Sequence, residues 1–440
     1  MGAIFCDIMI CLSGLNMSPL GSTLRTTAGS RTDMSEASTG IALFGGGRWS
    51  RVLLTELHRH MLSWEKVLWV SQTSVEDRQN FLQQAGLGSR VSLWTGADAA
   101  LAKRPFATIV ATEPLNHPAL TTAALKAQTH VLVEKPMALD YQSAEALCDL
   151  ADHQDRLLAV DLVFRTAPFL QLFAAKLHVP VSEIIIDWQD PASEIRHGSA
   201  KTPRIGTPLV WDVFPHIWSI ARAIAPDADW EIISAKTTKT GTIAIEGRAE
   251  NMVLRATLGR RAERRIRSVT VKGTNSATTS LDFSTEPGMI RGADETVTPQ
   301  AIPSKRPLET VLSSFLSSAR DGATDHALAA RRNLGSVATA QQAQAALAIN
   351  DTRLIGTWKA GAVAPTTLQL AEILTGHLAP LVVRRGFAGE QPYKVWDPTW
   401  TEHLAEQLPT ALHPDDCVSP ERLFARLHEL LDGVRTPISS

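Results

Sequence analysis

The stretch IALFGGGRWS joins a short apolar run to residue types that bind phosphate groups. Three glycines follow the run directly, and the spacing G-x-G-x-x-S ends on Ser50. Glycines at these positions permit a tight turn and let the backbone approach a diphosphate, which then rests on the N-terminus of the next helix. The loop therefore predicts a dinucleotide site, with a purely structural turn as the alternative. The candidate cofactor contacts are Gly45, Gly47, Arg48, Trp49 and Ser50.

The end of the next apolar run bears on which dinucleotide binds. A carboxylate about twenty residues past the glycine loop would bond the adenosine ribose hydroxyls. Here the stretch KVLWVSQTSVEDR places Ser71, Gln72 and Thr73 at the turn, with no acidic side chain. A ribose phosphate would meet no repulsion there, and the hydroxyls of Ser71 and Thr73, with Arg48 or Arg78, could bind it. The sequence therefore favours NADP over NAD.

Two further stretches bring charged and titratable side chains together. HVLVEKP ends an apolar strand on Glu134 and Lys135, and VWDVFPH sets Asp212 and His216 four residues apart. This spacing puts both side chains on one face of a helix. If Pro215 lay in the first turn, Asp212 would cap that helix. An imidazole with a pKa near ~6.5 exchanges protons at neutral pH, which makes His216 a candidate acid or base. The alternative for Glu134 and Lys135 is an ordinary exposed strand end, and the alternative for His216 is a histidine packed in the core.

Three segments together resemble the Gfo/Idh/MocA family of nicotinamide-dependent oxidoreductases over about residues 38–350. They are GGGRWS, the stretch from TIVATEPLNHP to HVLVEKPMALD, and WDVFPHIWSIARAI. The resemblance implies a Rossmann domain followed by an open-faced, mostly antiparallel sheet domain that carries the substrate site. It implies that Lys135 stabilises charge during hydride transfer, that His216 exchanges the accompanying proton, and that Asp212 orients the imidazole or contacts substrate. A cis bond between Lys135 and Pro136 is common in the family.

The same resemblance implies further contacts around the nicotinamide. The loop ATEPLNHP would lie along its ribose, with His117 stabilising the loop or touching the cofactor, and Glu134 would bond ribose or hold Lys135. The implied cofactor contacts of this loop are Ala111, Thr112, Asn116 and His117. Arg165 matches a family arginine at the domain junction and is a candidate substrate contact, with a surface position as the alternative.

Two residues depart from the family motif. Phe214 stands where the family usually has glycine, and Ser219 replaces an aspartate. A bulky Phe214 beside the substrate leaves the substrate class open.

A parallel sheet is needed to position these residues. From residue 39 to 163, short apolar runs alternate with helical stretches, which predicts a Rossmann domain. The predicted strands are 41–44, 66–70, 108–111 and 130–133, and the predicted helices are 50–61, 76–85 and 118–127. From 164 to 355, successive strand-like runs precede two helical stretches, which predicts an α+β domain with an open, largely antiparallel sheet.

The fold class is therefore α/β, with a small helical extension over residues 360–440. Residues 365–374 and 420–431 have amphipathic helical patterns. The aromatic stretch QPYKVWDPTWTEHL between them is interpreted as packing within this extension, with a ligand site as the alternative.

The composition excludes several classes of protein. A net charge of -2 argues against a nucleic-acid binder, and no apolar run approaches the ~20 residues that span a bilayer. The basic run GRRAERRIRS is interpreted as a solvated hairpin. The four cysteines form no CxxC pair and no zinc-ligand spacing, which is typical of a reducing compartment. We therefore expect a cytoplasmic protein without a metal site.

The first 38 residues are expected to be a disordered extension rich in Ser, Thr and Gly. Asp7 interrupts their apolar stretch and no basic residue precedes it, so a signal peptide fits poorly. Met34, just before the first strand, is an alternative translation start.

These observations predict an NADP-dependent oxidoreductase that transfers a hydride to or from a carbonyl, hydroxyl, imine or amine carbon of a small molecule. Reduction in a biosynthetic pathway is slightly favoured by the NADP preference. The alternatives are an NAD-dependent sugar or cyclitol dehydrogenase and a non-catalytic NADP(H) sensor or scaffold. A homo-oligomer is expected, and the C-terminal extension could bind a partner protein.

Overall fold

The N-terminal domain is built on a six-stranded parallel sheet. The structure, a computed structural model, describes residues 40–72, 74–196, 199–201, 206–292, 296–303, 305–324, 326–382 and 398–435. The strands are β1 (Gly40–Phe44), β2 (Lys66–Val70), β3 (Val91–Trp94), β4 (Ala107–Val110), β5 (His130–Glu134) and β6 (Leu158–Asp161). Their order is β3-β2-β1-β4-β5-β6, with every pair parallel. This order reverses between β1 and β4, and ligands of such sheets bind at that switch point beyond the carboxyl ends of the strands.

Helices cover this sheet because its strands are apolar along their whole length. All residues of β4 and β5 are buried, as are four of the five residues of β1, which is the pattern of strands buried on both faces. The covering helices are α1 (Arg48–His60), α2 (Val75–Ala85), α3 (Ala97–Leu101), α4 (His117–Lys126) and α5 (Tyr141–His153). The predicted Rossmann fold is confirmed, although the sequence patterns did not indicate β3, α3, α5 or β6.

The second domain is an eight-stranded mixed sheet. Its strands are β7 (Val181–Pro191), β10 (Glu231–Thr237), β11 (Ile243–Ala249), β12 (Met252–Ala262), β13 (Ile266–Gly273), β14 (Thr278–Asp282), β15 (Met289–Arg291) and β16 (Thr296–Val297). The order is β10-β11-β12-β7-β13-β14-β15-β16. Among the described strands of this second sheet, only β12 and β7 pair in parallel. A separate hairpin of β8 (Glu194–Arg196) and β9 (Ser199–Lys201) follows β7.

Alternate residues of β7 pack against helices on one face of this sheet. Ile184, Ile186 and Trp188 are buried, whereas the intervening residues are partly exposed. The helices of this domain are α6 (Pro168–Ala175), α7 (Leu209–Ile224), α8 (Pro307–Arg320) and α9 (Gly335–Lys359). The residues of β7 that point to the other face are partly exposed, as the predicted open sheet requires.

The interpretation of GRRAERRIRS as a solvated hairpin is wrong. The strands on either side, β12 and β13, each pair with β7 and not with each other. Arg260 and Arg267 are buried, and Arg267 donates to Asp190 Oδ1 at 2.5 Å. The positive charge of this run is therefore used in ion pairs within the fold.

The C-terminal extension is helical and packs on the second domain. It consists of α10 (Thr367–Val382), α11 (Pro398–Ala411) and α12 (Pro420–Arg435). Leucines of all three helices form a core that also takes in Ile355 near the end of α9. Trp400 packs against this core, and Tyr393 and Trp396 lie outside the described residues. Buried ion pairing of Glu372 on α10 with Arg260 ties the extension to β12.

Candidate active site

The glycine loop has the geometry that a close-approaching ligand requires. Gly45 has φ +133°, and a Cβ there would lie 2.2 Å from the Ala111 carbonyl oxygen and 2.5 Å from Ser50 Oγ. Gly47 precedes α1 as its cap without a side-chain hydrogen bond, and the first turn of α1 holds no acidic residue. Ser50 Oγ donates to the Ala111 carbonyl at 3.3 Å. The start of α1 therefore fits a cofactor diphosphate.

The adenosine end of the site differs from one expectation. Arg78 is fully buried and donates to the backbone carbonyls of Trp69 and Trp94 at 3.1 and 3.0 Å. It is a structural clamp across the ends of β2 and β3, so the suggestion that it binds a ribose phosphate is wrong. Ser71 is buried, the exposed Gln72 donates to the Thr95 carbonyl at 2.9 Å, and Thr73 lies outside the described residues.

His117 connects the loops that follow β4 and β5. Its Nδ1 lies 2.8 Å from the Pro136 carbonyl oxygen and its Nε2 lies 3.2 Å from that of Thr112. The ring is buried, which matches the loop-stabilising role. Ala111 and Thr112 sit partly exposed at the end of β4, and Asn116 ends the short 3-10 turn before α4.

Lys135 and Asp212, far apart in sequence, meet across the two domains. Lys135 Nζ donates to Asp212 Oδ1 at 2.8 Å and to its backbone carbonyl at 2.6 Å. Both side chains keep some exposure, 13% and 24%, so the pair remains accessible from solvent. The Lys135–Pro136 bond is cis, as expected.

Helix α7 begins earlier than the capping interpretation required. Its first residue is Leu209, and the Asp212 amide already donates to the Pro208 carbonyl. Asp212 therefore lies in the first turn and does not cap the helix, and Pro215 lies inside it. Asp212 bonds Lys135, whereas His216 Nδ1 is buried without a hydrogen-bond partner among the described residues.

His216 is held by aromatic rings. It stacks on Trp188 with ring centroids 5.0 Å apart and meets the edge of Phe164 at 5.2 Å. Burial lowers the pKa of His216 well below its usual range, and the nearby charge of Lys135 lowers it further while Asp212 opposes the shift. The imidazole is therefore neutral at pH 7.

Glu134 ends β5 beside an acidic residue that sequence reasoning missed. Trp49 Nε1 donates to Glu134 Oε1, which places two predicted cofactor contacts together. Asp161, at the end of β6, is paired in register with Glu134 and is 2% exposed. Its only sequence signal was an aspartate at the end of the apolar run LLAV.

One of the two predicted substrate contacts is not at the site. Phe214 is fully buried in the hydrophobic core, so the expectation that it faces the substrate is corrected. Arg165 places its guanidinium 5.8 Å from the centre of the Trp218 ring, and its contact with substrate stays a prediction. Ser219, in place of the motif aspartate, is buried and donates to the Pro215 carbonyl at 2.6 Å. No cluster of metal-ligating side chains occurs among the described residues.

Comparison with known proteins agrees with this geometry. Residues 39–162 match the family model described as "Oxidoreductase family, NAD-binding Rossmann fold", GFO_IDH_MocA. No curated protein sequence matches the chain at a significant level.

Solved structures share the fold at low sequence identity. A UDP-N-acetylglucosamine 3-dehydrogenase from Acidithiobacillus ferrooxidans has 18% identity and a TM-score of 0.58, covering 70% of this chain and 98% of its own. A 3-ketoreductase from Actinomadura kijaniata, in complex with TDP-benzene and NADP, has 16% identity and a TM-score of 0.58, with the same coverage. A probable dehydrogenase from Thermotoga maritima has 16% identity and a TM-score of 0.54, covering 70% and 96%.

The Rossmann sheet, the glycine loop and the paired lysine and aspartate define an NAD(P)-binding oxidoreductase. The family model match over residues 39–162 confirms the resemblance predicted from the sequence for the Rossmann domain. No described helix is long and apolar enough to cross a membrane.

Proposed function

We propose that the protein is an NADP-dependent oxidoreductase that transfers a hydride at a carbonyl, hydroxyl or imine carbon of a small molecule. The observation that carries the proposal is the solvent-accessible Lys135–Asp212 pair, which lies just beyond the carboxyl end of β5 with His216 one turn further along α7. A bound nicotinamide supplies the hydride chemistry, and the protein supplies position and electrostatics.

The roles of the residues follow from their contacts. The Lys135 ammonium would donate to the substrate oxygen or nitrogen and stabilise the negative charge that develops there. Asp212 holds that ammonium in place through two bonds. His216, kept neutral by burial, would take a proton from a substrate hydroxyl through Nε2, because Nδ1 is buried. Gly45, Gly47 and the first turn of α1 would hold the diphosphate, and Trp49 and Glu134 would border the cofactor.

Preference for NADP rests on the turn after β2. Ser71, Gln72 and Ser74 offer no carboxylate to repel a ribose phosphate. Arg78 donates to backbone carbonyls, and Arg48, at the start of α1, is the other arginine that the sequence suggested for this role. The fold relative from Actinomadura kijaniata, which carries NADP in its structure, is compatible with this preference.

A second candidate is the oxidation of a sugar or cyclitol hydroxyl, in which His216 would act as the base. The fold relative that is a UDP-N-acetylglucosamine dehydrogenase is compatible with it. A non-catalytic sensor is the remaining alternative, but a sensor would not need the Lys135–Asp212 pair.

Cofactor turnover tests these proposals together. NADPH and NADH binding should be measured by fluorescence titration, followed by cofactor turnover with panels of carbonyl compounds and sugars, including nucleotide-linked sugars. Turnover that depends on Lys135 supports the enzyme. Tight NADPH binding without any turnover would favour the sensor.

We further propose that a second copy binds the open face of the eight-stranded sheet. This face carries partly exposed residues of β7 such as Glu183, Ile185 and Asp187 opposite the helix-covered side. Analytical ultracentrifugation measures the oligomeric state, and an Ile185→Glu substitution, which places a negative charge on this face, should yield monomers.

A further inference from the structure

A buried pair of carboxyl groups lies beside the proposed catalytic lysine. Glu134 and Asp161 are partners in the parallel β5–β6 register, so their side chains leave the sheet on the same side. They are 8% and 2% exposed. Two carboxylates in such a place cannot both ionise without a large free-energy penalty.

The hydrogen-bond partners of the two groups differ. Glu134 accepts a hydrogen bond from Trp49 Nε1. Neither carboxyl oxygen of Asp161 accepts a hydrogen bond from an N–H or O–H donor among the described residues, whereas the carboxyl group of Glu134 lies within hydrogen-bonding reach of it. A buried carboxylate without donors is strongly disfavoured, so Asp161 is the member of the pair that carries the proton. Burial raises the pKa of the Asp161 carboxyl well above its usual range, with the charge of Glu134 adding to the rise and Lys135 opposing it.

The charged groups around Asp161 are few. Glu134 ends β5 and Lys135 follows it directly. Lys135 is itself paired with Asp212 on α7. The segment around Ala329 bridges to β6 at Ala159 and contains two further titratable or charged residues. The ring of His326 bonds Ser314 and the Leu328 amide. The exposed Arg331 pairs with Asp149 and Asp152. With Asp161 protonated, Lys135, Asp212 and Glu134 together carry one net negative charge.

We propose that Glu134 and Asp161 share one proton whose release is coupled to the charge of the cofactor, which makes Asp161 a positioning residue for the redox reaction. The proposal rests on the proposed function, because it requires the nicotinamide to bind near Glu134. An oxidised nicotinamide ring is cationic, and its charge favours ionisation of the pair and release of the proton to solvent. With a reduced, neutral nicotinamide bound, the pair would regain a proton, which would balance the one that a substrate hydroxyl loses on oxidation.

Infrared spectroscopy tests the proton directly and needs no turnover. The wild-type protein without substrate should show a buried protonated carboxyl band at pH 7, and Asp161→Asn, which resembles the protonated acid in shape, should remove it. Asp161→Ala provides a second variant if the asparagine variant folds poorly. Absence of the band from the wild-type protein would overturn the proposal even if the enzyme turns over its substrate normally.

Proton counting tests the coupling. Calorimetric titrations of NADP⁺ and NADPH in buffers of different ionisation enthalpy give the protons released by each, and the contribution of the ribose phosphate cancels in the difference. We expect NADP⁺ to release up to about one proton more than NADPH. This difference should disappear in Asp161→Asn and persist in a His216→Gln control. An unchanged difference in Asp161→Asn, or its loss only in His216→Gln, would contradict the coupling.

Discussion

The C-terminal extension is tied to the enzyme by an ion pair whose removal has a calculable cost. Glu372 bonds Arg260 at 2.6 Å, with side-chain exposures of 1% and 3%, and bonds the half-exposed Arg261 at 3.2 Å. Glu372→Gln keeps the shape of the side chain and removes its charge. The buried Arg260 would then lose the negative charge of Glu372, whereas Arg261 can turn towards water.

Breaking a buried pair by neutralising one partner typically destabilises a protein by about 3–5 kcal/mol. We expect Glu372→Gln to lower the free energy of unfolding of the extension by that amount. A double variant, Arg260→Met with Glu372→Leu, should recover most of the loss because no buried charge remains. The exposed pair Arg426–Glu429 on α12, 2.9 Å apart, provides a matched control, and Glu429→Gln should cost less than about 1 kcal/mol.

Urea unfolding followed by tryptophan fluorescence gives these free energies, since Trp358 and Trp400 pack against the core of the extension. Circular dichroism should be recorded in parallel to separate unfolding of the extension from that of the whole chain. The reasoning is refuted if Glu372→Gln is no more destabilising than Glu429→Gln, because the extension would then not depend on this contact.

Further predictions concern the whole extension and the site. A chain ending after Lys359 should aggregate or melt at a lower temperature, because Ile355 and Arg260 lose their cover; a truncated protein that is equally stable and fully active would make the extension an independent module. Lys135→Ala should abolish turnover while preserving fold and most cofactor affinity, and a near-normal kcat would exclude this lysine from the mechanism. His216→Ala should lower kcat by about 10²–10⁴. An unchanged pH–rate profile in that variant would count against its role. Because His216 is neutral in the folded protein and protonates near ~6.5 when unfolded, its contribution to stability is lost as pH falls below ~6.5, and His216→Gln should reduce that loss in pH-dependent melting. Fluorescence titration should show tighter binding of NADPH than of NADH, and Gln72→Asp should weaken NADPH by roughly 1–3 kcal/mol; equal affinity of the unmutated protein for both would contradict the assignment.

The Rossmann core was predictable because its signals are local. β2 occupies the predicted residues 66–70, and the glycine loop lies between a strand and a helix as its spacing indicates. The helices α3 and α5 and the strands β3 and β6 were missed. β3 is only partly buried and α3 has five residues, so neither leaves a periodic pattern long enough to detect.

The roles of individual arginines and of Phe214 were not predictable in the same way. From the sequence, Arg78 is expected to be a solvent-exposed helix residue. It is buried because it donates to carbonyl oxygens at the ends of two strands. Phe214 stands at a position where the family motif has a site residue. Because α7 is buried on most of its surface, the Phe214 side chain lies in the core. Burial of this kind depends on what packs around a helix, which no local pattern encodes.

The sequence by itself determined the dinucleotide loop, the charged end of β5 and the four-residue spacing of Asp212 and His216, because each depends on neighbours within a few residues. Tertiary structure alone decided that Asp212 bonds Lys135 instead of the imidazole, that Asp161 lies beside Glu134, and that Glu372 neutralises Arg260. These contacts join residues from different strands, helices and domains. Their distances and burial are fixed only when the sheets and helices pack, and it is this burial that shifts the pKa values of Asp161 and His216.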